Sequence, residues 1–512
     1  MRVRPTYSAA MRDLREAVGY ERRRWHSALA SASVHAAVFC ALLAVTWAPP
    51  IRQNGDIWWH LATGRYILET KSVPTKDVFS YTVAGRRWVT HEWLSEVIFW
   101  QVYQFAGIRG LIVLRALFLA GGLWLCFATC TRWTGPFPAA ALTALAAFAN
   151  SRTWLIRPQV FTYFGVAAFV FVLSRGVPAT WKVALRRFLP LVLGVWLWAN
   201  LHAGFVAGVL VLAVWAAGHA LFPSQPQDRK MALAAGGLAT LASLGLAMIN
   251  PNGVDLLLYP FDYVRQSVYV KYVLEWQRTV FDNWPHRAAG LLMLLAFLGA
   301  VMTVRKGGGA RLLWVVVFAV LAWSGKRHVP VAVLVVTPVL AESWFLLAGR
   351  LRAIRRWARM LRLAGVRRLR AVPAMLLVGA LAAMLATFPW VGTFKDLVAT
   401  WELPVGGALF MERNGCRGHV LNPFNWGGYL IFTLYPECRV AIDPRPDVYG
   451  EALVGLSSRL DSGPPDWKEL VASQHPHYIV WFSDSPLVPL VAGSPEWRLL
   501  YVDRVSVVFA RR

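Results

Sequence analysis

Charge is scarce in this chain and acid scarcer still: Asp and Glu number 27 against 53 Lys and Arg in 512 residues, and charged residues make up only 16%. With 57% hydrophobic residues and a mean hydropathy of +0.45, that is too little charge for a soluble protein of this length. No dinucleotide fingerprint, P-loop or zinc-ligand spacing occurs anywhere in it. The formal charge of +26 does not describe a nucleic-acid binder. Its basic residues lie in loops between apolar runs, not on a polar face interleaved with stacking aromatics. What remains is a polytopic membrane protein.

Windows of about 20 residues place apolar spans near 27–49, 109–131, 137–150, 160–175, 188–200, 203–222, 231–249, 288–304, 311–324, 329–348 and 371–394. Residues 1–25 are too polar and too long for a secretory signal, so 27–49 reads as a retained first span. They also carry Arg2, Arg4, Arg12, Arg15 and Arg22 to Arg24, which predicts a cytoplasmic N-terminus. Alternating from there, Arg175/Lys182/Arg186/Arg187, Arg229/Lys230, Arg305/Lys306/Arg311 and the run Arg350 to Arg370 all fall inside. That run is a topology determinant or a site for anionic headgroups. The predicted fold is an all-α polytopic membrane domain of about eleven transmembrane helices over 1–394, followed by a small extracytoplasmic α/β domain over 395–512.

On this topology the polar residues that interrupt the spans fall at their outer ends: Asp56, His60, Arg157, Gln159, Asn200, His202, Asn250, Asn252, Arg327 and His328. Polar groups near hydrocarbon are costly, so their collection on one side predicts an extracytoplasmic reaction centre. A transporter or flippase is the rival reading. It would place some of them at mid-membrane and show repeated halves, and the sequence has neither. A non-catalytic scaffold for envelope-glycan assembly is the third reading.

Three external segments follow. The first loop, 50–108, opens with Gly55-Asp56-Ile57-Trp58-Trp59-His60, which puts Asp56 and His60 one helical turn apart. Farther on, Glu92 and Glu96 lie four apart beside Trp93, Leu94, Val97 and Ile98, the pattern of an interfacial amphipathic helix. Segment 251–287 carries Tyr259, Tyr263, Tyr269, Tyr272, Trp276 and Trp284, which suits the headgroup boundary. In the third, after 395, apolar runs shorten to strand length, as in Tyr478–Phe482 and Val505–Phe509.

Most of these residues have a plain structural reading beside the functional one. Asp56 is either a helix N-cap or a working carboxylate; His60 and His91 are structural or site histidines. Asp77 and Ser80 also make an Asx-type turn. Arg157 and Arg327 also suit snorkelling to headgroups, and Asn200 and Asn250 helix capping. Asp443, Arg445 and Asp447, at the end of a predicted strand, form either a binding turn or an ion-paired one. Gly427-Gly428 is too short for a phosphate loop. Of five cysteines, Cys40, Cys126 and Cys130 lie in or beside spans, whereas Cys416 and Cys438 share the outer domain, where an oxidising compartment favours a disulfide.

The strings GDIWWHLATGRYIL, VPTKDVFSYT, HEWLSEVIF, RPQVFTYF, NLHAGF and GGYLIFTLYPECRVAIDPRPDVYG resemble bacterial multispan proteins of the GT-C superfamily of membrane glycosyltransferases, including mannosyltransferase-like members. The resemblance covers most of the chain. It implies a polyprenyl-phosphate sugar donor, an inverting transfer to a glycan, lipid or protein acceptor, and a bacterial inner-membrane home with the C-terminal domain periplasmic. Asp56 matches the family's catalytic acid. Many members carry paired acids there; this chain has one, which leaves a need for Mg²⁺ or Mn²⁺ open. The chemistry asks for a base, Asp56, and for cations and donors around a phosphate leaving group, supplied by Arg157, Arg327, His328 and Lys326. His60, Asn200, His202, Asn250 and Asn252 complete the donor site, and Asp77, His91, Glu92, Asp443 and Arg445 are secondary candidates.

Overall fold

The computed structural model describes residues 32–47, 55–265, 271–304, 308–348 and 402–512. The N-terminal arginines, the Arg350 to Arg370 run and the span 371–394 lie outside the described residues.

Among the described residues, five helices are long and apolar enough to cross a membrane: Trp93–Thr134, Trp181–Leu201, Pro226–Ala247, Trp284–Met302 and Lys326–Leu347. Four more, Ala32–Thr46, Gln159–Leu173, Phe205–Leu221 and Gly308–Ser324, are apolar but shorter. The expected 137–150 span is the 15-residue helix Pro136–Asn150, short of the roughly 20 residues a crossing needs. The helices show why they form where they do. Along Trp181–Leu201 the exposed residues Leu185, Leu189, Leu193 and Leu197 repeat every four positions, while Ala184, Phe188, Leu191 and Val195 are buried against the bundle. Lys326–Leu347 is the most enclosed and packs between Trp284–Met302 and Gly308–Ser324.

Residues 55–108 build the platform for the site. Helix α1 (Asp56–Thr70) is buried on nearly every side from Ile57 to Gly64. It crosses helix α2 (Trp93–Thr134) at Gly64, where a methyl group would collide with the Glu96 carbonyl oxygen. Gly107 divides α2: at φ 60° and ψ −156° it takes a conformation open essentially to glycine alone. The stretch up to Gly107 therefore leaves the direction of the longer stretch after it. The expected amphipathic surface helix differs in one respect. Its acidic face is turned inward, with Ser95, Glu96 and Phe99 buried, and Phe105 is its exposed apolar residue.

The C-terminal residues form a five-stranded mixed sheet of order β2-β1-β3-β5-β4: β1 Gly418–Leu421, β2 Cys438–Val440, β3 Tyr478–Phe482, β4 Trp497–Val502 and β5 Ser506–Arg511. β2, β1 and β3 run parallel, and β5 pairs antiparallel to β3 and β4. Cys416 and Cys438 are disulfide-bonded, with Cα atoms 6.2 Å apart, which ties the start of β2 to the turn before β1. The outer edge of β2 is covered by the first loop: Ser80 bridges Val440, and the Tyr81 N–H donates to the Val440 carbonyl at 3.1 Å. An open strand edge is thus closed from the other part of the chain. Gly427 and Gly428 serve close approach here. A Cβ at Gly427 would strike the Ile442 carbonyl, and one at Gly428 would lie 2.9 Å from the Gly55 carbonyl oxygen.

Candidate active site at the outer mouth

Asp56 is the first residue of α1, with Gly55 at the N-cap, and no side chain caps the helix. Its carboxylate is instead 2.8 Å from Nη2 of Arg157, which the loop before Gln159–Leu173 brings in. Nη1 of the same guanidinium donates to Oε1 of Glu275 at 3.0 Å. One cation thus bridges two carboxylates from segments far apart in the sequence. Burial pushes the Asp56 carboxyl up, Arg157 partly offsets this, and the pKa settles at about 6. Burial acts the same way on Glu275, but Arg157 and Arg327 outweigh it and hold that carboxyl below its usual range. The Arg327 guanidinium stacks on the Trp276 indole at 4.1 Å. Lys326 Nζ donates to Oε1 of Gln277 at 3.3 Å. His328 meets Trp276 edge-on and lies with Nδ1 3.2 Å from the Ser324 hydroxyl.

A second, largely buried cluster lies behind Asp56 with Glu92 at its hub. His91 Nε2 is 3.4 Å and His202 Nε2 3.2 Å from Glu92 Oε1. His60 spans two acids, with Nε2 3.6 Å from Glu92 Oε2 and Nδ1 3.2 Å from Glu96 Oε1. The hydrogen bonds assign protons. His202 Nδ1 accepts from the Gly204 N–H at 2.9 Å, so the neutral ring carries its proton on Nε2 and donates it to Glu92. His91 Nδ1 faces the Val89 carbonyl at 3.1 Å and Nε2 faces Glu92 at 3.4 Å, two acceptors that favour the protonated ring. At His202 and His91 the electrostatics point the same way, while at His60, between Glu92 and Glu96, burial decides. Burial keeps His60 and His202 neutral, each with a pKa of about 3, whereas Glu92 overcomes burial at His91 and raises it. Glu92 in turn is held well below the usual carboxylate range, its burial outweighed by His91.

A third cluster joins the C-terminal sheet to the first loop. Arg445 reaches Asp77 Oδ1 with Nη2 at 2.7 Å, and Asp443 with Nε at 2.7 Å and Nη2 at 2.5 Å. Its guanidinium lies 4.3 Å from the Trp88 ring centre, and the Tyr449 hydroxyl donates to Asp443 at 2.5 Å. Asp77 also takes the Ser80 N–H at 3.0 Å and the Ser80 hydroxyl at 2.6 Å, so the turn and the ion pair coexist. Asp447 accepts from the Tyr259 hydroxyl at 3.1 Å, and Tyr259 lies against the His91 ring.

The remaining sequence candidates separate. Asn200 accepts from Trp93 Nε1 and donates to the Trp196 carbonyl, both at 2.9 Å, which places it beside the Glu92 cluster. Asn250 turns back on its own turn, donating to the Ala247 carbonyl at 2.6 Å and accepting the Asn252 N–H at 2.7 Å. Asn252 donates to the Thr90 carbonyl at 3.2 Å. Among the described residues no three His, Cys, Asp or Glu side chains are grouped to hold an ion, and the Arg157 guanidinium already lies between Asp56 and Glu275. Glu275, Glu96, Trp276 and Tyr259 were absent from the sequence candidates for the site. The one signal for Glu275 was an acid next to Trp276 in a segment read as interfacial.

A helical domain with apolar helices, followed by a C-terminal mixed sheet, is a fold this chain shares with solved structures of an oligosaccharyltransferase and of ArnT. The similar solved structures are particular. The oligosaccharyltransferase of Archaeoglobus fulgidus, tethered to an acceptor peptide containing the NVT sequon, has a TM-score of 0.57 at 12% identity, covering 94% of this chain and 74% of that one. ArnT from Cupriavidus metallidurans bound to undecaprenyl phosphate has a TM-score of 0.53 at 15% identity, over 92% of this chain and 97% of that one. Apo ArnT from the same organism gives 0.51 at 15% identity, over 97% and 98%. No family model and no curated protein matches the chain by sequence.

Proposed function

We propose that this chain is a membrane glycosyltransferase that moves a sugar from a polyprenyl-phosphate donor to an extracytoplasmic glycan, lipid or protein acceptor, with inversion at the anomeric carbon. The observation that carries the reading is the Asp56–Arg157 pair: a partly exposed carboxylate with a pKa near 6 held 2.8 Å from a guanidinium. A base poised near the working pH contributes about 10²–10⁴-fold to proton transfer. Asp56 takes the acceptor hydroxyl proton as the acceptor oxygen bonds to the anomeric carbon. The bond from that carbon to the phosphate oxygen breaks, and the electron pair leaves with the polyprenyl phosphate. That leaving group needs positive charge rather than a general acid, and Arg157, Arg327 and Lys326 supply it. The GT-C fold and the undecaprenyl phosphate bound by ArnT support a lipid phosphate as donor carrier. The Glu92 cluster fixes α1 from behind and so positions Asp56.

In this reading residues 1–394 lie in a bacterial inner membrane, with the N-terminus cytoplasmic and 395–512 outside. The C-terminal turn at Asp443 and Arg445 holds the first loop in place while the outer domain selects the acceptor. The test is turnover by the purified protein in lipid across a panel of radiolabelled polyprenyl-phosphate sugars with acceptor glycans. Released polyprenyl phosphate and labelled acceptor support transfer. Label that crosses the bilayer unchanged would favour a flippase, and no reaction or transport across the panel would favour a scaffold.

A further inference from the structure

Glu275 has no part in the transfer step, yet it occupies the cation that the step needs. It stands on a single 3-10 turn, Leu274–Trp276, within segment 251–287, and its side chain is 38% exposed, more open than either Arg157 or Asp56. Its carboxylate takes Nη1 of Arg157 at 3.0 Å, and the next residue, Trp276, carries the Arg327 guanidinium. Both arginines hold Glu275 ionised against its burial. A carboxylate and a phosphate present guanidinium with the same pair of acceptor oxygens. The chain therefore places its own anion against the arginines assigned to the donor phosphate.

We propose that Glu275 is an internal counter-anion that the phosphate of a lipid phosphate displaces from Arg157. The proposal rests on the reading of Arg157 and Arg327 as the phosphate site. On donor binding the phosphate oxygens take the guanidinium and the Glu275 carboxylate turns to solvent; after transfer its return helps expel the polyprenyl phosphate product. A site occupied by its own anion binds phosphate with an affinity reduced by the fraction of molecules in which the site is open. The short turn and the exposed carboxylate make that exchange a local movement.

Equilibrium binding of undecaprenyl phosphate to the purified full-length protein in nanodiscs tests this, with wild type, Glu275→Gln and Arg157→Met compared. Glu275→Gln is expected to bind about three- to tenfold more tightly, and Arg157→Met far more weakly than either. Inorganic phosphate is expected to compete with the lipid, and to compete better in Glu275→Gln by a similar factor. Unchanged or weaker binding in Glu275→Gln, with Arg157→Met impaired, would overturn the counter-anion role and make Glu275 a positioning residue for Arg157. A gain for the lipid without a gain for inorganic phosphate would also overturn it. Equal binding by wild type and Arg157→Met would overturn the phosphate-site reading beneath it.

Discussion

Two arginines in this protein do the same local thing in different settings. Arg445 lies between Asp77 and Asp443, and Arg157 between Asp56 and Glu275. The Arg445 side chain is 2% exposed and both of its acids 0%, whereas Arg157 is 18% exposed and its acids 23% and 38%. Arg445 is also backed by the Trp88 ring and the Tyr449 hydroxyl. A closed triad of this kind can only hold parts together, and it joins the turn after β2 to the loop at Asp77. The open triad keeps its charges within reach of a ligand, so identical chemistry divides into architecture and function by exposure.

Substitutions at the two arginines should therefore fail in different ways. Arg445→Met leaves Asp77 and Asp443 buried without their cation and is expected to cost about 3–5 kcal/mol, measured by denaturation in detergent, with turnover lost through misfolding. Glu92→Gln, in the sealed cluster behind Asp56, removes the charge that His91 pairs with; a cost of about 1–3 kcal/mol and slower turnover without a change in donor binding are expected. Arg157→Met should cost less stability than Arg445→Met while losing the donor. Equal destabilisation by the two arginine variants would erase the distinction between the triads.

The pH profile sharpens the same contrast at smaller amplitude. Asp56 must be ionised to accept a proton, so kcat/KM is expected to fall as pH drops through about 6 and to level off above it. Arg157 favours the charged carboxylate and Glu275 disfavours it. Whatever activity Arg157→Met retains should therefore show its limb at higher pH, and Glu275→Gln should show it at lower pH. A limb that stays fixed in both variants would remove Asp56 from the titration.

Parts of this organisation were legible in the residues. Charge bias and apolar length gave the membrane class, and the outer-end position of Asp56 and Arg157 anticipated a meeting that the fold makes at 2.8 Å. Tyr478–Phe482 was readable as a strand because short β-branched and aromatic runs fit a pleat. The span count was less readable. Helices such as Pro136–Asn150 are too short to cross alone, and hydropathy does not separate a crossing from an enclosed piece. Glu92 and Glu96 were visible as a pair, but periodicity does not say which face is buried. Only the packing of α1 on α2 turns them inward onto His60. The Asp77–Arg445 contact joins residues 368 positions apart, beyond any local pattern. Asn250 hydrogen-bonds within its own turn, a contact its position in the sequence does not announce.

The central claim is that Asp56 is the base of a sugar transfer at the outer mouth. Its most direct test is sugar transfer from a polyprenyl-phosphate donor by wild type and Asp56→Asn in lipid, with undecaprenyl phosphate binding and thermal stability measured on the same preparations. The account predicts turnover reduced by about 10²–10⁴-fold in a variant that remains folded and still binds the lipid phosphate. Undiminished turnover in that folded variant would contradict it.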